Sequence, residues 1–88
     1  MQALASKYLG PADHRGARVK VSAERGSVTL PWDDALDASG NHCRAALRAL
    51  QRWEWSGRWV GGSSTANPRG YVFVAVPGTK GPPSIDPL

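Results

Sequence analysis

Two histidines, one cysteine and a short run of aspartates have side chains that could act as nucleophile, base or metal ligand. His42 and Cys43 are adjacent, but neighbours in a helix do not face each other, and the hydrophobic spacing places Cys43 on an apolar stripe. We interpret Cys43 as a core residue, with an enzyme that uses its thiol as the minor alternative. His14 and His42 have no cysteine or acid at the spacing of a zinc site. The sequence therefore predicts no metal site.

Asp33, Asp34 and Asp37 form a cluster of acids that could in principle bind a divalent cation. Aspartate is equally favoured in turns and before helix N-termini, where it meets the positive end of the helix dipole, and we adopt this structural interpretation. The glycine-rich segment GGSSTANPRG lacks the GxxxxGK(S/T) pattern of a phosphate-binding loop. We predict a protein that is not an enzyme and that binds no cofactor.

Basic residues form two groups in a chain that has 11 Lys and Arg, 7 Asp and Glu and a formal net charge of +4. The first group lies on a predicted strand face and the loops near it, and comprises Lys7, Arg15, Arg18 and Lys20, with His14 beside them. The second is a helical ridge with i, i+4 and i+8 spacing, and comprises Arg44, Arg48 and Arg52. In a two-layer fold these groups lie on opposite sides. Each group either binds an acidic partner or keeps its surface solvated.

Three of the four tryptophans crowd into the segment WEWSGRW. Trp53 and Trp55 cannot both point into the core from one helical face, because helix residues two apart point in nearly opposite directions. Trp55 is then either exposed beside arginines or folded back over the sheet edge where the helix ends. An exposed tryptophan of this kind is typical of a protein interface and of a stacking platform for single-stranded nucleic acid.

Period-2 alternation predicts the strands that must position these residues. Ala17, Val19, Val21 and Ala23 alternate with polar residues, as in a half-buried strand. The residues ERG after them predict a type I turn ending in a left-handed glycine, and so a hairpin. The predicted strands cover residues 2–9, 17–23, 27–32, 58–60 and 71–76. The last of these, YVFVAV, is predicted to be a central strand covered on both faces or nearly so.

One helix follows the aspartates, and Ser39 or Asn41 can cap it. Its apolar face is predicted to comprise Cys43, Ala46, Leu47, Leu50 and Trp53. Three strands, this helix and two more strands predict an α+β fold: a small antiparallel sheet of about five strands in βββαββ order, with the helix packed on one face. Residues 1–77 are predicted to form a single α+β domain and residues 78–88 a flexible tail rich in proline and glycine.

No apolar run approaches the roughly 20 residues of a membrane span, and the N-terminal segment lacks the long apolar core of a signal peptide. One cysteine can form no intramolecular disulfide. These features predict a protein of the reducing cytoplasm with no membrane partner. An open sheet leaves edge strands, which allows a homodimer through a sheet edge, and Pro31 guards at most one edge.

Four segments stand in order along residues 3 to 75: KYLGPADHRGARVKV, GSVTLPWDDAL, NHCRAALRAL and GYVFV. Together they resemble a group of small uncharacterised proteins found in bacteriophages, prophages and other mobile elements. The segment RWEWSGRW and the proline-rich tail differ from that pattern. The resemblance implies a phage or mobile-element setting, and it implies no mechanism.

Phage accessory proteins of this size commonly bind a host machine, and some inhibit CRISPR–Cas or other defence systems. By this analogy of context, our leading hypothesis is a non-enzymatic accessory protein in the host cytoplasm that binds a host protein or protein complex, as an anti-defence, anti-CRISPR-like inhibitor. The alternative is a nucleic-acid-binding module that sets the basic sheet face or the helix ridge against phosphates. The predicted contact residues are Lys7, Arg15, Arg18, Lys20, Arg44, Arg48, Arg52 and Trp55.

Overall fold

The computed structural model describes residues 3–11, 16–63 and 70–87. Within these ranges the chain forms six strands and one helix. In chain order the elements are β1 (Ala3–Leu9), β2 (Arg18–Ala23), β3 (Gly26–Pro31), α1 (Ala38–Arg52), β4 (Arg58–Ser63), β5 (Gly70–Ala75) and β6 (Ser84–Pro87). The predicted α+β class is confirmed. In the part of the chain so described, no helix is long and apolar enough to cross a membrane.

The six strands form one sheet in the order β3-β2-β1-β5-β4-β6. Neighbouring strands are antiparallel except β4 and β6, which run parallel. The prediction of about five strands, all antiparallel, is therefore wrong in number and in direction. The additional strand, β6, lies in the segment that the sequence placed outside the sheet. Its prolines argued against a strand, but an edge strand tolerates proline because one side of it has no ladder to break.

The predicted hairpin between β2 and β3 is confirmed. Its ladder runs from the pair Arg18 and Pro31 to the pair Ala23 and Gly26, which leaves a two-residue loop. Gly26 has a φ of 147°, a conformation that residues with a Cβ rarely adopt. The apolar residues of both strands alternate with polar residues, so one face of the hairpin is apolar and the other faces solvent.

The helix packs on one face of the sheet and leaves the other face open. The buried apolar residues on the covered side of the strands are Leu4, Val19, Val21, Val28, Trp59 and Phe73. β5 lies between β1 and β4, as its central character predicted, but it is not covered on both faces. Val72 remains 38% exposed on the open face. The continuous apolar run therefore belongs to a strand that the helix covers on one face only.

β4 approaches β5 closely at Gly61. A Cβ atom at this position would lie 2.1 Å from the carbonyl oxygen of Val72 and 2.5 Å from a ring carbon of Phe73. The Phe73 ring therefore fills the space that a side chain on β4 would need. A glycine at this point lets the large aromatic side chain of the neighbouring strand enter the core.

The helix begins two to four residues earlier than predicted. Asp37 is the N-cap, and its Oδ1 accepts a hydrogen bond of 2.7 Å from the backbone N–H of Gly40. The predicted caps, Ser39 and Asn41, lie inside the helix instead. The buried residues of α1 are Asn41, His42, Ala45, Ala46, Ala49 and Leu50, so the face is rotated from the predicted stripe, and Cys43 and Leu47 are only half-buried. Small alanines occupy this face because aromatic rings from the sheet fill the space against it.

The helix ends in a Schellman motif. The N–H of Trp55 donates to the carbonyl oxygen of Leu50 (3.0 Å), and the N–H of Glu54 donates to that of Gln51 (3.2 Å). Glu54 has a φ of 58°, the left-handed conformation that this motif requires and that glycine usually supplies. The reversal directs the chain into β4 and turns Trp55 back toward the sheet.

Candidate functional site

The helix ridge, Arg44, Arg48 and Arg52, lies along the solvent side of α1, and all three residues are exposed. Residues 38–52 contain no aspartate or glutamate, so the helix itself offers these cations no partner. Like charges four residues apart destabilise a helix by about 0.2–0.5 kcal/mol per pair. Only Arg52, in the last turn, gains from the helix dipole. The ridge therefore concentrates positive charge at a small cost in helix stability.

No ridge arginine forms a salt bridge within the described residues. The one salt bridge found there joins Arg58 of β4 to Asp86 of β6, and both side chains are about half exposed. Arg44 instead donates a hydrogen bond of 2.5 Å from Nη2 to the backbone carbonyl of Pro31, at the end of β3. Arg44, the first residue of the ridge, thus extends over the edge strand β3.

An open groove of about 430 Å³ runs between the ridge and β3. Its lining residues are Leu30, Arg44, Leu47, Arg48 and Gln51, and we call it the edge groove. Leu30 and Leu47 are half-buried and give it an apolar floor, while the arginines form its rim. A smaller hollow beside Arg48, Gln51 and Arg52 continues it toward the helix C-terminus. This combination fits a ligand that is both apolar and acidic.

The basic residues of the strands lie on the open face of the sheet. Lys7 of β1 and Lys20 of β2 are directly opposite each other, and both are exposed. Like charges in this position are destabilising, since the two Cβ atoms of such a pair are only about 5 Å apart. Arg18 is half-buried one step along β2, and its Nε is buried with no hydrogen-bond partner in the described part of the chain. We call Lys7, Arg18 and Lys20 the sheet-face cluster.

The two basic groups point away from each other. Lys20 lies between Val19 and Val21, whose side chains are buried on the helix side, so Lys20 points to the opposite face. The predicted contact residue Arg15 and its neighbour His14 lie outside the described residues. One flat ligand cannot reach both the helix ridge and the sheet-face cluster.

Trp55 is half-buried, and its ring stacks on that of Trp59 with centroids 5.8 Å apart and an interplanar angle of 10°. Trp53 lies against it at 5.2 Å. The Trp55 ring is therefore folded back over the sheet and is not fully exposed beside the arginines. In the described ranges the open face carries no aromatic ring, because Tyr8, Tyr71 and Phe73 all point to the helix side.

His42 occupies a buried aromatic site that the sequence did not reveal. It is 2% exposed, and its Nδ1 lies 2.6 Å from Oγ of Ser6. The imidazole stacks on Tyr71 at 4.2 Å and meets the edge of Trp32 at 5.9 Å. Burial lowers the pKa of His42, so the ring is neutral near pH 7. A serine beside a histidine resembles a nucleophile and its base, but no substrate can reach a pair this deeply buried.

Three further candidates for chemistry, Cys43, Asp33 and Asp37, have structural partners. Burial raises the pKa of the Cys43 thiol, and the nearby Asp37 carboxylate raises it further, while a hydrogen bond from Ser39 lowers it. Because the pKa is raised on balance, the reactive thiolate is disfavoured. Oδ1 of Asp33 accepts a hydrogen bond of 2.9 Å from the N–H of Ala35. Among the described residues, no three His, Cys, Asp or Glu side chains are placed to hold a metal ion.

Asn41 fixes the loop that carries these aspartates. Its Oδ1 accepts the N–H of Asp33 at 2.8 Å, and its Nδ2 lies within hydrogen-bond distance of the carbonyl oxygens of Asp33, Leu36 and Asp37. This buried amide ties the end of the β3 segment to the first turn of α1. It thereby sets the distance between the two sides of the edge groove.

A scan of protein-family models finds no match for this chain, and neither curated proteins nor solved structures match it. The two basic surfaces and the edge groove are therefore the features that can indicate a function.

Proposed function

We propose that this protein is a non-enzymatic binding protein whose helix ridge docks on an acidic surface of a partner protein. The observation that carries the proposal is the run of three exposed arginines on a helix without an acid, beside a groove with a leucine floor. Arginine is enriched in interface hot spots because its guanidinium forms bidentate bonds to carboxylates and packs on apolar groups. In the setting that the sequence resemblance implies, the partner is a host protein or complex in the cytoplasm, and the protein is an anti-defence inhibitor of phage or mobile-element origin.

Co-purification from a bacterial host lysate tests this proposal. Tagged wild-type protein is compared with a ridge variant that has glutamine at all three ridge positions. A matched control removes three charges elsewhere through Lys7→Gln, Lys20→Gln and Lys80→Gln. We expect a stoichiometric acidic protein with the wild type and the control, and its loss from the ridge variant. Recovery of no stoichiometric protein by the wild type contradicts the proposal, as does equal recovery by the ridge variant with an unchanged circular dichroism spectrum.

A second candidate function is nucleic-acid binding through the sheet-face cluster. The facing pair Lys7 and Lys20 favours it, since a phosphate between the two ammonium groups would relieve their repulsion. The contacts would be to the backbone of the nucleic acid, because the described open face offers no ring for base stacking.

Fluorescence anisotropy with labelled duplex DNA and single-stranded RNA tests this second candidate. Each phosphate neutralised contributes about −0.9 to the slope of log K against log salt for B-DNA. We expect the double variant Lys7→Gln, Lys20→Gln to reduce that slope by about 2. The same charge removed by Arg25→Gln and Lys80→Gln should leave it nearly unchanged. Absence of binding at about 50 mM salt, or binding that does not weaken as salt rises, excludes this function.

A further inference from the structure

The outer edge of β3 has unpaired backbone groups, and the ladder shows which residues carry them. The N–H of Trp32 donates to the carbonyl of Ala17 across the hairpin (2.9 Å). Hydrogen-bonded pairs alternate along an antiparallel ladder, so Leu30 and Val28 also bond to β2. The residues between them therefore direct their backbone groups away from β2. These are Ser27, Thr29 and Pro31.

Pro31 has no N–H, and its carbonyl already accepts the hydrogen bond from Arg44. Ser27 and Thr29 each present one N–H and one C=O at the edge, and both residues are exposed. β6, at the opposite edge, has four residues and ends in Pro87, which cannot donate to a further strand. Of the two edges of this sheet, β3 is thus the one that can accept another strand.

The edge groove lies beside these free groups. A strand paired with β3 sends alternate side chains to the helix side of the sheet, because side chains alternate between faces with a period of two. On that side they meet Leu30 and Leu47 at the floor and Arg44 and Arg48 at the rim. Backbone pairing would hold such a segment, and the groove would select its side chains.

We propose that β3 and the edge groove together bind an extended acidic segment of the partner protein as a seventh strand. The segment forms backbone hydrogen bonds with Ser27 and Thr29. Its carboxylates bond to Arg48 and to Arg44, which moves its guanidinium from the Pro31 carbonyl to the ligand. This inference rests on the proposed function, because it specifies how the ridge engages its protein partner.

A second copy of this chain fits the site poorly. Residues 26–31 of β3 include no acid, and two β3 strands paired edge to edge would bring the helix ridges of both copies to the same side of a continuous sheet. Like-charge juxtaposition of this kind works against association. The homodimer through a sheet edge, which the sequence allowed, is therefore an outcome that the experiment must separate from binding of an acidic strand.

The test uses a fluorescein-labelled synthetic peptide with the repeat Glu-Thr-Val-Thr as the probe, which places glutamate and valine in turn on one face of a strand, and the repeat Lys-Thr-Val-Thr as its charge-reversed counterpart. We expect the acidic peptide alone to bind the full-length protein in anisotropy titrations. Glutamine at Arg44 and Arg48 should weaken binding at least tenfold, and Lys80→Gln and Arg25→Gln together should not. On binding, hydrogen exchange at the amides of Ser27 and Thr29 should slow at least tenfold.

Thr29→Pro removes an outward N–H and leaves the ladder to β2 intact, so it should abolish binding while Thr29→Ala does not. If the proline variant fails to fold, a probe N-methylated at its threonines replaces it. The N–H groups of these residues face β3 when glutamate and valine face the helix side, so this probe should bind at least tenfold more weakly. Binding without amide protection overturns strand addition, as does equal binding of the methylated probe. Self-association that the acidic peptide does not displace also overturns it.

The lysate experiment keeps this inference distinct from the proposed function. If the ridge variant loses the partner but Thr29→Pro retains it, docking on the ridge stands and strand addition is wrong. If both variants retain the partner, both proposals are wrong. If both lose it and Thr29→Ala retains it, the partner binds as an added strand.

Discussion

Acidification below pH 6.5 should destabilise this protein through His42. In the unfolded chain the imidazole has its ordinary pKa of 6.5, and in the folded protein burial lowers that pKa. At a pH between these two pKa values, the imidazole binds a proton in the unfolded state but not in the native state. The contribution of the neutral ring to stability is therefore fully present above pH 6.5 and decreases as the pH falls toward the folded pKa.

The size of the effect follows from the same linkage. One proton bound only by the unfolded state changes the free energy of unfolding by at most about 1.4 kcal/mol per pH unit. His42 is 2% exposed and packed between Tyr71 and Trp32, so solvent does not screen the charged ring. We expect a loss of up to about 1.4 kcal/mol between pH 6.5 and about pH 5.5, before most carboxylates begin to titrate.

Urea denaturation at closely spaced pH values measures this loss, with His42→Phe as the control. The phenylalanine ring keeps the stacking on Tyr71 but cannot bind a proton, so the difference between the two pH profiles isolates His42. An NMR titration of the imidazole gives the folded pKa directly. Parallel stability profiles for the two proteins, or a folded pKa of 6.5 or above, would refute the reasoning.

Three further predictions concern the buried amide of Asn41, the close approach of β4 to β5 and the end of the helix. Asn41→Ala should lower the free energy of unfolding by about 2–4 kcal/mol in urea denaturation, because up to three buried hydrogen bonds to the preceding loop are lost. Gly61→Ala should cost about 3 kcal/mol or more, since its Cβ would lie 2.1 Å from the Val72 oxygen, whereas Gly10→Ala, with no atom nearer than 4.0 Å, should be nearly neutral. Glu54→Gly should raise stability by about 1 kcal/mol, because glycine adopts the φ of 58° without strain; an unchanged thermal midpoint would contradict this.

The hairpin and the existence of the helix were predictable because their signals are local. Alternation around Val19 and Val21 and a turn residue at Gly26 determine β2, β3 and their register without any distant contact. The orientation of the helix was not predictable in this way. Hydrophobic periodicity favours the larger side chains of Cys43 and Leu47, whereas most of the buried helix face consists of alanines and polar His42 and Asn41.

The sixth strand was missed for a different reason. Parallel pairing of β4 with β6 depends on a contact between segments about 25 residues apart, and nothing in SIDP alone indicates it. Among the candidate site residues, the spacing of the ridge arginines and the lack of acids around them were visible in the sequence. Their position over the edge of β3 was not, because it depends on how the helix crosses the sheet.

The place of β1 in the sheet order has a consequence for how quickly the fold can form. β1 pairs with β2, which begins at Arg18, and with β5, which begins at Gly70. It is the one strand that joins the group β1 to β3 to the group β4 to β6. The pairing of β1 is therefore complete only when a strand more than 60 residues away along the chain has joined it. Pairings of such high contact order are typical of domains that fold in about milliseconds to seconds. Before β5 pairs with it, β1 is an unpaired edge of the sheet formed by β1, β2 and β3. The chain is therefore most prone to aggregation before the second half of the sheet has formed.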